Sequence, residues 1–317
     1  MTKRTVFIDG EAGTTGLEIS RRLAQHPDVQ VLSIEDRDRK DSGVRQARMH
    51  SADLTILCLP DAAIADAVEL AGPARIIDAS SVHRVAPGWS YGLPELDPTL
   101  REALRNADRI ANPGCYPQGL LLLIRPLIDV GWLSEDAAIT LHALSGYSGG
   151  GRGLIEHYES AGPAITAPRP YALDQGHKHV PEMWRYSTLR RPPLFSPIVG
   201  PYYQGMLVQV PLHRDQLDLP AGSPSARAAL ETLYRDRYTG EALVSVRTPD
   251  ANDPRENGFL DPQGCNDTDR MELMVFGDEH HLLAVARYDN LGKGAAGAAV
   301  QNMNLALGFE ESTALRR

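Results

Sequence analysis

A chain of 317 residues with 42% apolar and 23% charged content lies in the soluble globular range and is long enough for two domains. Its formal net charge of −9 and pI of about 5.6 argue against nucleic acid and against an anionic membrane as partner, since both recruit basic surfaces. Three cysteines, Cys58, Cys115 and Cys265, are an odd number spread far apart, which fits a reducing compartment better than a disulfide framework. The chain enters an apolar strand within five residues, leaving no room for a signal peptide, and no apolar run reaches the ~18 residues of a membrane span, so a cytoplasmic protein is expected.

In chain order, Thr5 to Ile8 reads as a strand that runs into Gly10-Glu11-Ala12-Gly13-Thr14-Thr15-Gly16 and then a helical pattern, Leu17, Ile19 and Leu23, ending at His26-Pro27. Gly10, Gly13 and Gly16 let the backbone turn and approach a pyrophosphate, while the amides at Thr14 and Thr15 meet its charge at the helix start. The G-x-x-G-x-x-G spacing departs from the commonest dinucleotide fingerprint. A second strand, Val29 to Ile34, ends where an adenosine ribose would lie. There Glu35 and Asp36 suit a free 2′-hydroxyl, whereas Ser33, Arg37, Arg39 and Lys40 suit a 2′-phosphate, so both cofactors stay open. Strands at Leu54 to Leu59 and Arg75 to Ala79, with a helix over Ala62 to Leu70 between them, continue a parallel sheet, and Cys58 reads as core within it. Polar residues follow at a strand's C-terminal end, where open α/β sheets bind ligands; Ser81 and Arg84 are the candidates, with Arg84 as an anion clamp or an ordinary surface arginine.

The stretch Ala111-Asn112-Pro113-Gly114-Cys115-Tyr116-Pro117-Gln118-Gly119 sets one cysteine before the apolar run Leu120 to Ile124. A helix starting at Pro117 would turn its amides and positive dipole end toward Cys115, favouring thiolate and offering donors to an oxyanion. Beyond it, Ala137 to Leu144, Met206 to Leu212, Ala242 to Val246, Met271 to Phe276 and His281 to Ala286 read as strands, with one long helix, Ser225 to Tyr238. The whole is α/β: a Rossmann-type parallel-sheet domain over 1–114, completed by a C-terminal helix within 291–317, and a second α+β domain over 115–290 built on a mixed or antiparallel sheet. Sheet-to-sheet association of that second domain would make the protein a homo-oligomer, a dimer or tetramer.

Three features of the second half carry chemistry. Residues Ser145 to Gly153 form a glycine-rich loop suited to folding over a ligand, with Arg152 in it. Gly176-His177-Lys178-His179-Val180-Pro181-Glu182 offers either a metal site, for which the other ligands have no evident source, or a general acid/base for Cys115 with Glu182 fixing its tautomer; the second is preferred and no metal is expected. Asn290-Leu291-Gly292-Lys293-Gly294 opens a helix of small residues that would return to the first domain beside the cofactor, or simply pack tightly.

Gly10 to Gly16, Asn112 to Pro117, Gly146 to Arg152, His179-x-Pro181-Glu182, Asn290 to Gly297 and Ser81-Val82-His83-Arg84 with Trp89-x-Tyr91-Gly92-Leu93-Pro94-Glu95-Leu96 together resemble the N-acetyl-γ-glutamyl-phosphate reductase family, in its shorter variant, within the semialdehyde dehydrogenase group. The resemblance implies NADPH-dependent reduction of an acyl phosphate in arginine biosynthesis, with release of inorganic phosphate through a Cys115 thioester and with His179 shuttling the proton. It also implies Arg84, Arg152, Ser81 and His177 on the substrate, and Gly10, Gly13, Thr14, Thr15, Gly16, Ser33, Arg39, Lys40, Asn290 and Gly292 on the cofactor. Two departures stand out: Gln118 replaces the usual threonine, and Glu11 brings a carboxylate into the glycine loop. A reductase of aspartyl phosphate or of carrier-linked glutamate or aminoadipate would share the cysteine and the loop and differ in the substrate clamp, and a dinucleotide-binding redox regulator would have the loop with a cysteine that is a redox sensor or inert.

Overall fold

Short apolar strands alternate with helices through the first third of the chain because their side chains must be buried on both faces. The computed structural model describes residues 3–220, 222, 225–248 and 253–317. The elements run β1 (Arg4–Asp9), α1 (Thr14–Leu23), β2 (Val29–Leu32), α2 (Ser42–Ser51), β3 (Leu54–Leu57), α3 (Ile64–Ala71), β4 (Ile76–Asp78), β5 (Ser90–Tyr91), α4 (Leu100–Asn106) and β6 (Arg109–Ala111). They make a six-stranded sheet, order β2-β1-β3-β4-β6-β5, with every neighbouring pair parallel. Along β1, Val6 and Ile8 face one helical layer and Phe7 the other, which holds Met49, Ile64 and Ala67 of α2 and α3.

The second region runs α5 (Cys115–Asp129), β7 (Thr140–Gly146), α6 (Gly151–Ala161), β8 (Arg169–Pro170), α7 (Val180–Ser187), β9 (Leu194–Gly200), β10 (Met206–His213), α8 (Ala226–Tyr238), β11 (Val244–Val246), β12 (Met271–Gly277) and β13 (His281–Tyr288). Its seven-stranded mixed sheet has the order β11-β12-β13-β10-β7-β9-β8. The helices α5 and α8 pack on it, α5 against β10 and β13 and α8 against β11 and β12. The last helix, α9 (Gly297–Leu307), packs on α1, α4, β3 and β4 of the first sheet. Two compact units result, Met1–Pro113 with Ala295–Arg316, and Gly114–Gly294 with Arg317. Among the described residues, no helix is long and apolar enough to cross a membrane.

Several expectations are corrected. The cysteine helix starts at Cys115, not Pro117, with Gly114 as its N-cap, and it continues through Pro126 to Asp129. Proline lacks the N–H that would bond the carbonyl of Leu122, and the hydroxyl of Tyr238 donates to that carbonyl at 2.6 Å, with Tyr234 donating to Leu123 at 2.6 Å. Cys58 lies just past the end of β3 rather than within it. The stretch at Ser145 to Gly153, expected as a glycine-rich loop, is taken up by the end of β7, a short 3-10 turn and the start of α6. Gly146, Tyr147 and Ser148 donate to the carbonyls of Gly205, Tyr202 and Tyr203, each at 2.9 Å, and Gly151 begins α6. Leu17 of the apolar pattern on α1 is 47% exposed.

The sequence reading did not find α2, α4, α6, α7, β5, β6, β8 or β9. Helix α2 buries only Met49 and is set by a cap, Asp41, whose carboxylate accepts from the Val44 amide at 2.9 Å. Strand β9 carries Pro197 and follows Pro192-Pro193, residues that argue against a strand by themselves.

At the contact of α5 with β10, a Cβ on Gly119 would lie 2.7 Å from the Tyr288 hydroxyl and 2.8 Å from Val208 Cβ. Gly119→Ala is therefore expected to destabilise the protein by about 1–3 kcal/mol through overpacking. Denaturant unfolding measures it, and an unchanged midpoint would mean that the helix shifts freely.

Candidate active site

Cys115 is the first residue of α5, half-buried, and its first-turn amides have no intrahelical carbonyl to bond. A helix N-terminus favours negative charge at that position. The two other thiols are poor nucleophiles: burial, then the carboxylates of Asp9 and Asp78, push Cys58 far up, and burial with Glu272 pushes Cys265 up to about 11.

The backbone around Cys115 is fastened on both sides. The carboxylate of Glu182, buried on α7, accepts from the Gly114 N–H at 2.7 Å. The hydroxyl of Tyr288, fully buried at the end of β13, donates to the Cys115 carbonyl at 2.6 Å and accepts from the Gly119 N–H at 3.2 Å. Glu182, expected to orient a histidine, thus holds the helix cap that carries the thiol.

Both histidines lie in an aromatic cluster with Tyr116, the residue after the cysteine. The His179 and His177 rings each lie 5.8 Å from Tyr116 between centroids and 4.8 Å from each other, and Phe195 flanks His177 at 5.0 Å. The hydroxyl of Tyr171 donates to that of Tyr116 at 3.1 Å. Burial raises the Tyr116 hydroxyl well above the usual phenol range and pushes Tyr171 up to about 12, the Cys115 charge adding to both, so these groups stay protonated at neutral pH. Nδ1 of His177 accepts from the His179 N–H at 3.1 Å, which keeps the proton of a neutral His177 ring on Nε2.

In the first unit, the glycine loop opens as the sequence suggests: Gly10 has φ +90°, and a Cβ there would lie 2.4 Å from the Cys58 carbonyl. A cavity of about 260 Å³ is lined by Gly10, Glu11, Ala12, Ile34, Leu59 and three cations, Arg39, Lys40 and Arg45. Apolar walls with three cations beside a glycine loop suit a phosphorylated nucleoside such as the adenosine half of a dinucleotide.

Other predicted residues have different occupations. Ser81 gives its hydroxyl and amide to Asp61, at 2.5 and 3.1 Å. Arg84 is buried, and its Nε donates to the carbonyl of Asn112 at 3.0 Å, bracing the strand end that precedes the cysteine. Asn290 spends its amide on Gly205 and Ser148, at 2.8 and 2.9 Å. At Gly292 a Cβ would lie 2.0 Å from the Thr268 carbonyl, so close backbone approach explains the glycine. Ser33 is exposed just past β2, and Arg152 is exposed on α6. Thr14 and Thr15 open α1, with Gly13 as its N-cap.

Residues 115–290 match the model of the semialdehyde dehydrogenase dimerisation domain. Over 99% of this chain and 100% of the relative, the sequence is 46% identical to N-acetyl-gamma-glutamyl-phosphate reductase 2 of Nostoc sp.. This chain belongs to the N-acetyl-γ-glutamyl-phosphate reductase family. Among solved structures, aspartate semialdehyde dehydrogenase II of Vibrio cholerae superposes with a TM-score of 0.69 at 16% identity, covering 97% of this chain and 99% of that one. Aspartate semialdehyde dehydrogenase of Candida albicans, solved with NADP, gives 0.64 at 12%, covering 96% and 98%. At these identities the likeness establishes the fold.

Both departures from the family pattern have a local explanation. Gln118, fully buried, donates to the Gly294 carbonyl at 3.1 Å and so ties α5 to the segment leading into α9. Glu11 is tethered on α1 by the Ser20 hydroxyl at 2.6 Å. The sequence reading missed Tyr288, Tyr116, Tyr171, Asp9 and Arg45; only the adjacency of Tyr116 to the cysteine and of Asp9 to the glycine loop signalled them.

Glu182→Ala leaves the Gly114 N–H buried without its acceptor and is expected to cost about 1–3 kcal/mol, while Glu182→Gln, which keeps an acceptor, costs less than half of that. Equal losses in denaturant unfolding would show that the charge, not the hydrogen bond, is what matters.

Proposed function

We propose that this protein reduces N-acetylglutamyl 5-phosphate to N-acetylglutamate 5-semialdehyde with NADPH and releases inorganic phosphate. The observation that carries the reading is the half-buried Cys115 at the start of α5, beside the Tyr116 and histidine cluster. The Cys115 thiolate attacks the acyl carbonyl, and the C–O bond to phosphate breaks to leave a thioester. NADPH, when bound, would supply the hydride for this thioester, and His179 gives the carbonyl oxygen the proton that completes a thiohemiacetal. His179 takes the hydroxyl proton as the C–S bond breaks, and semialdehyde and thiolate separate. The first-turn amides of α5 are donors suited to the oxyanion.

His179 is the better acid/base of the two histidines. His177 spends Nδ1 on the His179 amide, so that nitrogen is already engaged as an acceptor. Arg39 and Lys40 in the nucleotide cavity support NADPH over NADH, because a 2′-phosphate adds negative charge that they would meet. Arg152, exposed near the start of α6, remains the candidate for the substrate's phosphate or carboxylate. The first unit is the dinucleotide-binding domain and the second the catalytic and oligomerising one.

The second unit's sheet supports a homo-oligomer. Its helices cover the face with Val208, and the opposite face leaves Thr140, His142, Leu144, Leu194, Ile198 and Pro211 partly or wholly exposed. Sedimentation is expected to give a multiple of the 34.6 kDa chain mass, and a monomer at micromolar concentration would refute it.

The reaction is followed in reverse by absorbance of the reduced nicotinamide with N-acetylglutamate semialdehyde, phosphate and NADP. Cys115→Ser is expected to abolish turnover. His179→Asn lowers kcat by roughly 10²-fold or more with NADP binding intact, and His177→Asn lowers it less. Turnover of aspartate semialdehyde alone would move the protein to the aspartyl phosphate reaction.

A further inference from the structure

The residue that ends β1 is an acid in an unfavourable place. Asp9 is buried, 4% exposed, and directly precedes Gly10, so its carboxylate lines the cavity beneath the loop suited to a pyrophosphate. A second carboxylate, Glu11, lines the same cavity. An acid at the end of β2 would be near a ribose, where it has hydroxyls to bind; one at the end of β1 faces phosphate, with the wrong sign. Arg45 of α2 meets Asp9 with two parallel hydrogen bonds, Nε to Oδ1 at 3.2 Å and Nη2 to Oδ2 at 2.6 Å. The guanidinium is itself mostly buried, with 15% of its side chain exposed, and it too lines the cavity. Its fork geometry engages both carboxylate oxygens and sets a positive charge directly against the negative one.

Resting on the proposed NADPH-dependent reading, we propose that Arg45 is a positioning residue for cofactor binding that works by cancelling Asp9: the pair is neutral and leaves Arg39 and Lys40, against the single charge of Glu11, to keep the cavity net positive. Arg39 pairs with the exposed Asp36 at 2.8 Å, and both cations stand at the solvent side of the cavity, where they distinguish a 2′-phosphate. Arg45 acts instead on the charge common to every dinucleotide. Its loss leaves a buried carboxylate uncompensated in low dielectric and weakens NADPH and NADH alike. Loss of Asp9 has the opposite sign, because the freed guanidinium then adds a positive charge to the cavity.

The test is the dissociation constant of each reduced cofactor, read by the nicotinamide fluorescence of the full chain with no substrate present. Wild type is expected to bind NADPH; no binding refutes the proposed function itself and not the role of Arg45 alone. Given binding, Arg45→Gln is expected to raise both dissociation constants about tenfold or more, by a similar factor for NADPH and NADH. Asp9→Asn lowers both severalfold, and this variant carries the test if Arg45→Gln does not fold. The double variant, Asp9→Asn with Arg45→Gln, returns both constants to within about threefold of wild type. The inference is overturned if Asp9→Asn weakens binding, if the double variant binds no better than Arg45→Gln, or if Arg45→Gln affects NADPH alone, which would make Arg45 a direct ligand of the 2′-phosphate.

Discussion

The first turn of one helix is the constraint on which the chemistry rests. A nucleophilic thiol must point in one direction, yet the end turns of a helix fray most readily, because their backbone groups lack intrahelical partners. Here Glu182 fastens the amide before the cysteine and Tyr288 the carbonyl of the cysteine itself. Both fasteners come from distant elements, α7 and β13, so the direction of the thiol is set by the packing of the second unit. Gly119 is the consequence on the other side: with no side chain there, the Tyr288 phenol reaches the backbone.

That arrangement changes the meaning of the acidic residue beside the histidines. By analogy with catalytic triads, Glu182 is expected to orient an imidazole; the observed bond adds a second task, as a cap for the cysteine helix. The helix terminus, for its part, favours negative charge at Cys115. Burial and nearby carboxylates, in contrast, hold Cys58 and Cys265 as thiols. The first unit shows the same economy of charge in the Asp9–Arg45 pair, where a buried acid is tolerated only with a bidentate partner.

Buried polar residues also explain the last helix. α9 reads as a run of small residues, but Gln301, Asn302 and Asn304 are fully buried on it. Asn302 donates to the Gly92 carbonyl at 2.9 Å, Asn304 to the carbonyls of Glu311 and Thr313 at 3.0 and 2.9 Å, and Gln301 to Glu95 and Glu311 at 2.8 and 2.7 Å. Such a network fixes one orientation of the helix, where small apolar faces alone would permit several.

The sequence by itself determined the parallel α/β first region, the glycine loop, the cysteine at a helix start and the histidine pair, because each rests on local periodicity or on neighbours along the chain. Strands such as β9, with proline inside, and helices such as α2, held by a cap instead of an apolar stripe, were illegible, since only pairing and packing stabilise them. The roles of Ser81, Arg84 and Asn290 were illegible for a related reason. A polar side chain near a site serves ligand or scaffold according to which partner lies within about 3 Å. That partner is decided by residues far away in sequence, as Asp61 is for Ser81 and Gly205 for Asn290.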